Sequence, residues 1–154
     1  MNFDRLVKWL VICGGFIWLG LLVNFVFPSV ESRQKAQIEK VYVKTSAEHL
    51  LKGEWAEVQK VVAEGLTRSP RCANLYFNLG LSYYLSGNYT QAKTTFRVLS
   101  GIAPYYPDVH YLLGLIYRAE GNLPEAKAEF IRELNLNPGN SRAWKEIRED
   151  KGNP

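Results

Sequence analysis

The chain has 154 residues, a formal charge of +4 and 47% apolar side chains, which fits a single domain and excludes both a disordered chain and a two-domain enzyme. Its two cysteines, Cys13 and Cys72, lie too far apart in character and position to form a disulfide framework, so the fold has to be held by packing. The 19 Lys and Arg and 15 Asp and Glu are unevenly spread, and residues 1–30 contain only Asp4, Arg5 and Lys8.

Residues 1–8 form a short tail, and from Trp9 to Phe27 the chain runs for 19 residues with Asn24 as its one strongly polar side chain. A helix over this stretch spans roughly 28 Å, close to the ~30 Å hydrocarbon thickness of a bilayer. Residues 9–27 are therefore expected to be a transmembrane helix. A cleaved signal peptide would have a shorter apolar core ending in a small-x-small site, which Leu22-Val23-Asn24-Phe25-Val26-Phe27 does not offer. A lipobox reading of Leu10-Val11-Ile12-Cys13 is weakened by the bulk of Ile12 and by the apolar run beyond it, so Cys13 reads as a small buried hydrophobe. Residues 28–38 are expected to be a charged helical stalk continuing to about Lys44, with Ile38, Val41 and Tyr42 spaced for burial against the next segment.

Beyond the stalk, shifting residues 73–106 onto 107–140 gives ten identities at a 34-residue period, among them Leu79/Leu113, Gly80/Gly114, Tyr83/Tyr117, Gly87/Gly121, Ala92/Ala126, Phe96/Phe130 and Pro104/Pro138. The pattern of an aromatic, Leu-Gly, Tyr, Ala-x₃-Phe and Pro resembles the tetratricopeptide repeat (TPR) family, through Tyr76, Leu79, Gly80, Tyr83, Ala92, Phe96 and Pro104. The next copy carries His110, Leu113, Gly114, Tyr117, Ala126, Phe130 and Pro138. A degenerate copy over 39–72 is seen in Gly53-Glu54-Trp55, Val58, Val62 and Pro70, but it has Thr45-Ser46 where Leu-Gly is expected. Each copy predicts a pair of helices that cross closely at a small residue, with turns at Gly87-Asn88 and Gly121-Asn122 and Pro124 just inside a helix start. Residues 141–154 read as a capping helix and tail, with Ser141 as N-cap and Trp144 and Ile147 on its apolar face. The expected architecture is all-α: a transmembrane helix, an α-solenoid of three TPR-like helix pairs and a capping helix.

Catalytic chemistry is not indicated. His49 and His110 fall on packing positions of the repeat, and no metalloprotease, nucleophile-elbow, phosphate-loop or paired-cysteine motif is present. Glu125, Glu129 and Glu133, four apart near Lys127 and Arg132, read as a solvated helix face rather than a metal site, and Glu120 adds to the same acidic group. No cofactor or metal is expected. Arg33, Lys35, Lys40 and Lys44 are interrupted by Glu31 and Glu39, which suits weak attraction to anionic lipid and not nucleic acid. Asn88-Tyr89-Thr90 matches a glycosylation acceptor, although the turn itself accounts for Asn88.

The family resemblance implies binding of an extended or helical peptide on the concave surface formed by the first helices. The surface it selects is Lys40, Val43, Ala47, Leu50 and Leu51, then Asn74, Phe77, Leu81, Tyr84 and Leu85, then Asp108, Tyr111, Leu115, Arg118 and Ala119, and the candidate binding residues are Asn74, Phe77, Asn78, Leu81, Tyr84, Asp108, Tyr111, Leu115 and Arg118. Phe77, Tyr84 and Tyr111 would supply contact area, and Asn74, Asp108 and Arg118 would bond a peptide backbone. A subclass of the family clamps the C-terminal carboxylate of chaperone tails, but the matching positions here are Val43, Ala47, Asn78, Asp108 and Leu112, of which only Asn78 fits. The expected function is a non-enzymatic, membrane-anchored adaptor that binds a protein or peptide segment and assembles a membrane-associated complex. The alternative is a self-assembling structural subunit whose groove mediates homo-oligomerisation. Arg5 and Lys8 favour an N-in orientation, which places the repeats outside the cytoplasm, in the periplasm if the source is bacterial.

Overall fold

The computed structural model describes residues 30–150, so the predicted span 9–27, the tail before it and the last four residues lie outside the described residues. Among the described residues no helix is long and apolar enough to cross a membrane. The chain divides into two compact units, 1–37 and 38–154. Of the first unit the described part is the opening of a helix whose side chains from Ser32 to Gln37 are exposed. The second unit contains the repeats.

The described helices are α1 (Val30–Lys52), α2 (Trp55–Arg68), α3 (Ala73–Leu85), α4 (Tyr89–Ile102), α5 (Val109–Ala119), α6 (Leu123–Leu136) and α7 (Ser141–Asp150). The predicted stalk and the first helix of the degenerate repeat are one uninterrupted α1. Within it Tyr42 and Val43 pack on the core, while Val41 is 52% exposed, so burial falls one residue away from part of the predicted stripe.

Local chemistry repeats with the sequence. The turn inside each pair places Gly53, Gly87 and Gly121 at φ of 73°, 79° and 79°, a left-handed conformation open to glycine at little steric cost. Each second helix ends at Ser69, Ala103 or Asn137, whose N–H closes onto Gly65, Leu99 or Glu133. Proline follows each of these residues and disfavours helical geometry in the residue before it. Their φ values of −137°, −139° and −136° fit that restriction.

The helices of a pair cross where the sequence places its smallest residue. A Cβ added to Gly80 would lie 2.5 Å from the buried ring of Phe96, and one added to Gly114 would lie 2.4 Å from Phe130. In the degenerate copy the matching positions are Ser46 and Val62, both fully buried. A larger residue on the first helix is thus matched by a smaller one on the second, which explains how the repeat tolerates Ser46 where glycine was expected.

Among the described residues, two apolar clusters stand out in the core. One gathers Val58, Val62, Cys72 and Leu75, and the other centres on Phe96, Leu99, Val109, Leu113 and Ile116. A polar staple joins α1 to α3: Asn78, 8% exposed, donates from Nδ2 to Ser46 Oγ at 2.8 Å and to the Val43 carbonyl at 3.3 Å. Asn78→Leu leaves Ser46 Oγ and that carbonyl without this donor in a dry site, and is expected to cost about 2 kcal/mol, read as a lower midpoint in urea unfolding.

The last helix differs from its predicted detail. Asn140 is the cap, accepting the Ala143 N–H on Oδ1 at 3.3 Å, and Ser141 is the first helical residue. Ala143 is fully buried, whereas Trp144 is 47% exposed and donates Nε1 to the Pro138 carbonyl at 2.9 Å. Tyr76, 68 positions earlier and so in the same repeat register, donates its hydroxyl to the Pro70 carbonyl at 3.2 Å. By this contact α7 behaves as the first helix of a further repeat.

Candidate functional site

The first-helix face is built by α1, α3 and α5. The structure puts the nine predicted residues into two groups. In the first, Phe77, Leu81 and Tyr84 are half-buried against the larger core cluster. Phe77 packs with Phe96 at 6.3 Å and with Tyr106 at 5.1 Å, and Tyr84 with Tyr89 at 6.0 Å between ring centroids. Asn74 is exposed and its Oδ1 accepts the Tyr106 hydroxyl at 2.6 Å. Burial, with a smaller contribution from the nearby Cys72 thiol, holds the Tyr106 phenol above its ordinary pKa, so it remains a neutral donor to Asn74. Asn78 lies behind this surface, committed to α1.

The second group, Asp108, Tyr111, Leu115 and Arg118, is shared with α7. Arg142 bonds Asp108 at 2.7 Å and lies 4.8 Å above the centre of the Tyr111 ring, and Arg118 is ion-paired with Glu146. The polar groups assigned to a peptide backbone are therefore already engaged within the chain, while Leu115 stays half-buried beside the core. Arg142 lies 34 residues after Asp108 and Glu146 lies 28 after Arg118, so the repeat register, continued past Pro138, was the signal that could have found the first of these partners.

Asp108 is also the one described non-glycine residue with positive φ, at 64°. Its conformation is held from several sides. Its N–H donates to Glu133 Oε1 at 3.3 Å, and its Oδ1 accepts Asn140 Nδ2 at 2.9 Å. Glu133, 1% exposed, also accepts the Tyr111 N–H at 3.4 Å and Asn140 Nδ2 at 2.9 Å. A carboxylate from α6 thus supplies the acceptors at the start of α5, where unpaired N–H groups favour negative charge. Glu129, 8% exposed, bonds His110 Nδ1 at 2.7 Å and Arg132. The predicted solvated acidic face is corrected: two of its three carboxylates are buried because α5 and α7 close over them.

The far edge of the first-helix face is apolar and open. Leu51 is 89% exposed and Leu85 51% exposed, one repeat apart. His49, close to this edge, bonds Glu54 at 2.6 Å, and that hydrogen bond lowers the Glu54 carboxyl below its usual pKa. Among the described residues no cluster of His, Cys, Asp and Glu is arranged to hold a metal ion.

Tetratricopeptide repeat family models match residues 75–104 and 107–140. The chain carries tetratricopeptide repeats. No curated protein matches it. Among solved structures it is similar to the first TPR of Spaghetti (RPAP3) bound to the HSP90 peptide SRMEEVD, with a TM-score of 0.69 and 22% identity over 75% of this chain and 92% of that one. It is similar also to the first TPR domain of the human RPAP3 protein, with a TM-score of 0.69 and 21% identity over 75% of this chain and 91% of that one. At such identities the likeness establishes the all-α TPR fold.

Proposed function

We propose that the protein is a non-enzymatic adaptor that binds a segment of another protein on the first-helix face, with residues 9–27 tethering it to a membrane. The observation that carries the binding reading is the open apolar strip made by Leu51 and Leu85, backed by half-buried Phe77, Leu81 and Tyr84. Side chains of this size exposed at matching repeat positions do nothing for the packing of the chain itself, and rigid aromatics behind them offer contact area at low entropic cost. The tether rests on the uncharged length of residues 9–27, and the extracytoplasmic placement on Arg5 and Lys8.

The RPAP3 repeat binds an HSP90 peptide, and a peptide ligand is the reading taken for this chain as well. An acidic chaperone tail is disfavoured on this face. Asn78 is buried in the α1–α3 staple, and Asp108 brings negative charge to a position where the clamp needs a cation. The open strip fits a segment presenting apolar side chains, with the groups around Tyr111 closed off by α7.

Leu51→Glu with Leu85→Glu tests the reading without touching the core. Partner capture from native membranes is expected to fall at least tenfold while helical circular dichroism and the unfolding temperature stay unchanged. Retained capture would remove the first-helix face from the mechanism. Loss of self-association in light scattering by the same variant, with no other protein captured by the wild type, would support the homo-oligomer instead.

A further inference from the structure

A cleft of about 320 Å³ lies on the other side of α5, between the second helices α4 and α6, with His110 and Tyr117 on its floor. His110, Leu113 and Tyr117 are three and four residues apart, on the side of α5 away from Tyr111, Leu115 and Arg118. Arg97 lines the cleft from α4, and Glu125, Glu129 and Arg132 line it from α6.

The repeat supplies its own control. Moving back 34 residues puts Ala63 at the place of Arg97, Tyr76 at His110, Gln91 at Glu125, Thr95 at Glu129 and Val98 at Arg132. Five acidic or basic side chains, two Arg, two Glu and one His, thus occupy one inter-repeat groove at positions where the preceding groove has no Arg, Lys, His, Asp or Glu, although both serve the same packing. The fold at position 110 also works with an aromatic donor, since Tyr76 and Trp144 in the same register each bond a proline carbonyl. His110 turns instead to Glu129. Glu125 is accounted for by its place in the first turn of α6, where a carboxylate suits the helix N-terminus. Glu129 is taken up by His110 and Arg132. Arg97 has no such account: it is exposed, in the middle of α4, and its guanidinium is held at 2.6 Å by a neutral partner, the Tyr117 hydroxyl. Lys93, on the same helix, bonds Glu120 at 2.7 Å and lies 5.2 Å from the centre of the Tyr117 ring, so cations flank this tyrosine at both its ring and its hydroxyl.

We propose that this cleft is a second binding site, separate from the first-helix face, and that it takes a carboxylate side chain of an acidic protein segment on Arg97, with Arg132, which also bonds Glu129, beside it. Guanidinium groups present planar pairs of N–H donors that match a carboxylate, and Tyr117 fixes the orientation of one of them in advance. The cleft volume lies at the lower end of the range for ligand sites, enough for one or two side chains and not for a whole helix.

The test uses the full-length protein in uncharged detergent with fluorescein-labelled hexaglutamate as the probe, followed by anisotropy. Saturable binding is expected, weakened at least tenfold by Arg97→Gln with Arg132→Gln and less by Tyr117→Phe, which removes only the hydroxyl that orients Arg97. Leu85→Ser is expected to leave binding unchanged, which keeps this site distinguishable from the first-helix face. Lys60→Gln with Arg148→Gln removes the same charge from exposed positions elsewhere and is expected to have little effect. An equal loss in that control would reduce the effect to the general attraction of a basic chain and overturn the proposal, as would the absence of saturable binding. Displacement of the probe by inorganic phosphate at its own concentration would overturn the assigned ligand class. Both arginines are exposed, and unchanged circular dichroism of each variant verifies the fold.

Discussion

Gly80→Ser and Phe96→Val are each expected to destabilise the protein by about 2–3 kcal/mol, while the two together cost less than either alone. The first adds a Cβ 2.5 Å from a ring that is fully buried and has nowhere to move, and the second leaves a cavity at the centre of the larger core cluster. Together they recreate the pair that the chain already uses one repeat earlier, Ser46 with Val62. A double-mutant cycle in urea measures the coupling. Simple additivity would mean that the crossing of each pair is not governed by the combined volume of these two side chains.

Glu133→Ala is expected to cost about 3 kcal/mol, a large effect for a charged residue on what reads in sequence as a helix surface. Its carboxylate serves the N–H groups of Asp108 and Tyr111 and the Asn140 amide in a site closed to solvent. Truncation leaves two backbone donors at the head of α5 without an acceptor and removes what holds Asp108 in its left-handed conformation. Glu133→Gln keeps an acceptor but turns an N–H₂ toward one of the donors, so an intermediate loss is expected. Hydrogen exchange should show the damage first at the start of α5 and in α7. Loss spread evenly over all helices would argue that Glu133 has no local capping role.

These two sites differ in how far the sequence could reveal them. Gly80, Phe96 and the turn glycines were legible because they recur at 34 residues, and a repeat that must cross its helices closely leaves few choices at those positions. Proline after Ser69, Ala103 and Asn137 marked the helix ends for the same reason. Glu133 was not legible. Its spacing from Glu125 and Glu129 is that of a solvated face, and only the arrival of α5 and α7 above it makes it buried. Ser141 drew attention as a cap because serine favours that position, yet Asn140 one residue earlier does the work and also bonds Asp108 and Glu133. The open face was partly legible. Phe77, Leu81 and Tyr84 were selected by register, and the same register continued past Pro138 points to Arg142 beside Asp108, whereas the engagement of Arg118 by Glu146 required knowing how the last helix docks.

Asn78 and the α7 contacts have a common consequence for binding. They consume the polar groups of the first-helix face at its back and at one end, which leaves recognition to apolar contact at Leu51, Leu85 and Tyr84. Affinity for a partner on this face should therefore depend weakly on salt, whereas the cleft lined by Arg97 and Arg132 should lose its ligand as ionic strength rises.

The central claim is that a partner segment lies across the first helices. Its most direct test is a photoreactive side chain placed at position 85 on α3, compared with position 98 on α4, where Val98 is also exposed, in native membranes. The account predicts a discrete crosslink to another protein from position 85, absent from position 98 and lost when Leu51 is replaced by Glu. Equal labelling from both positions, or a crosslink from position 85 solely to a second copy of this chain, would contradict it.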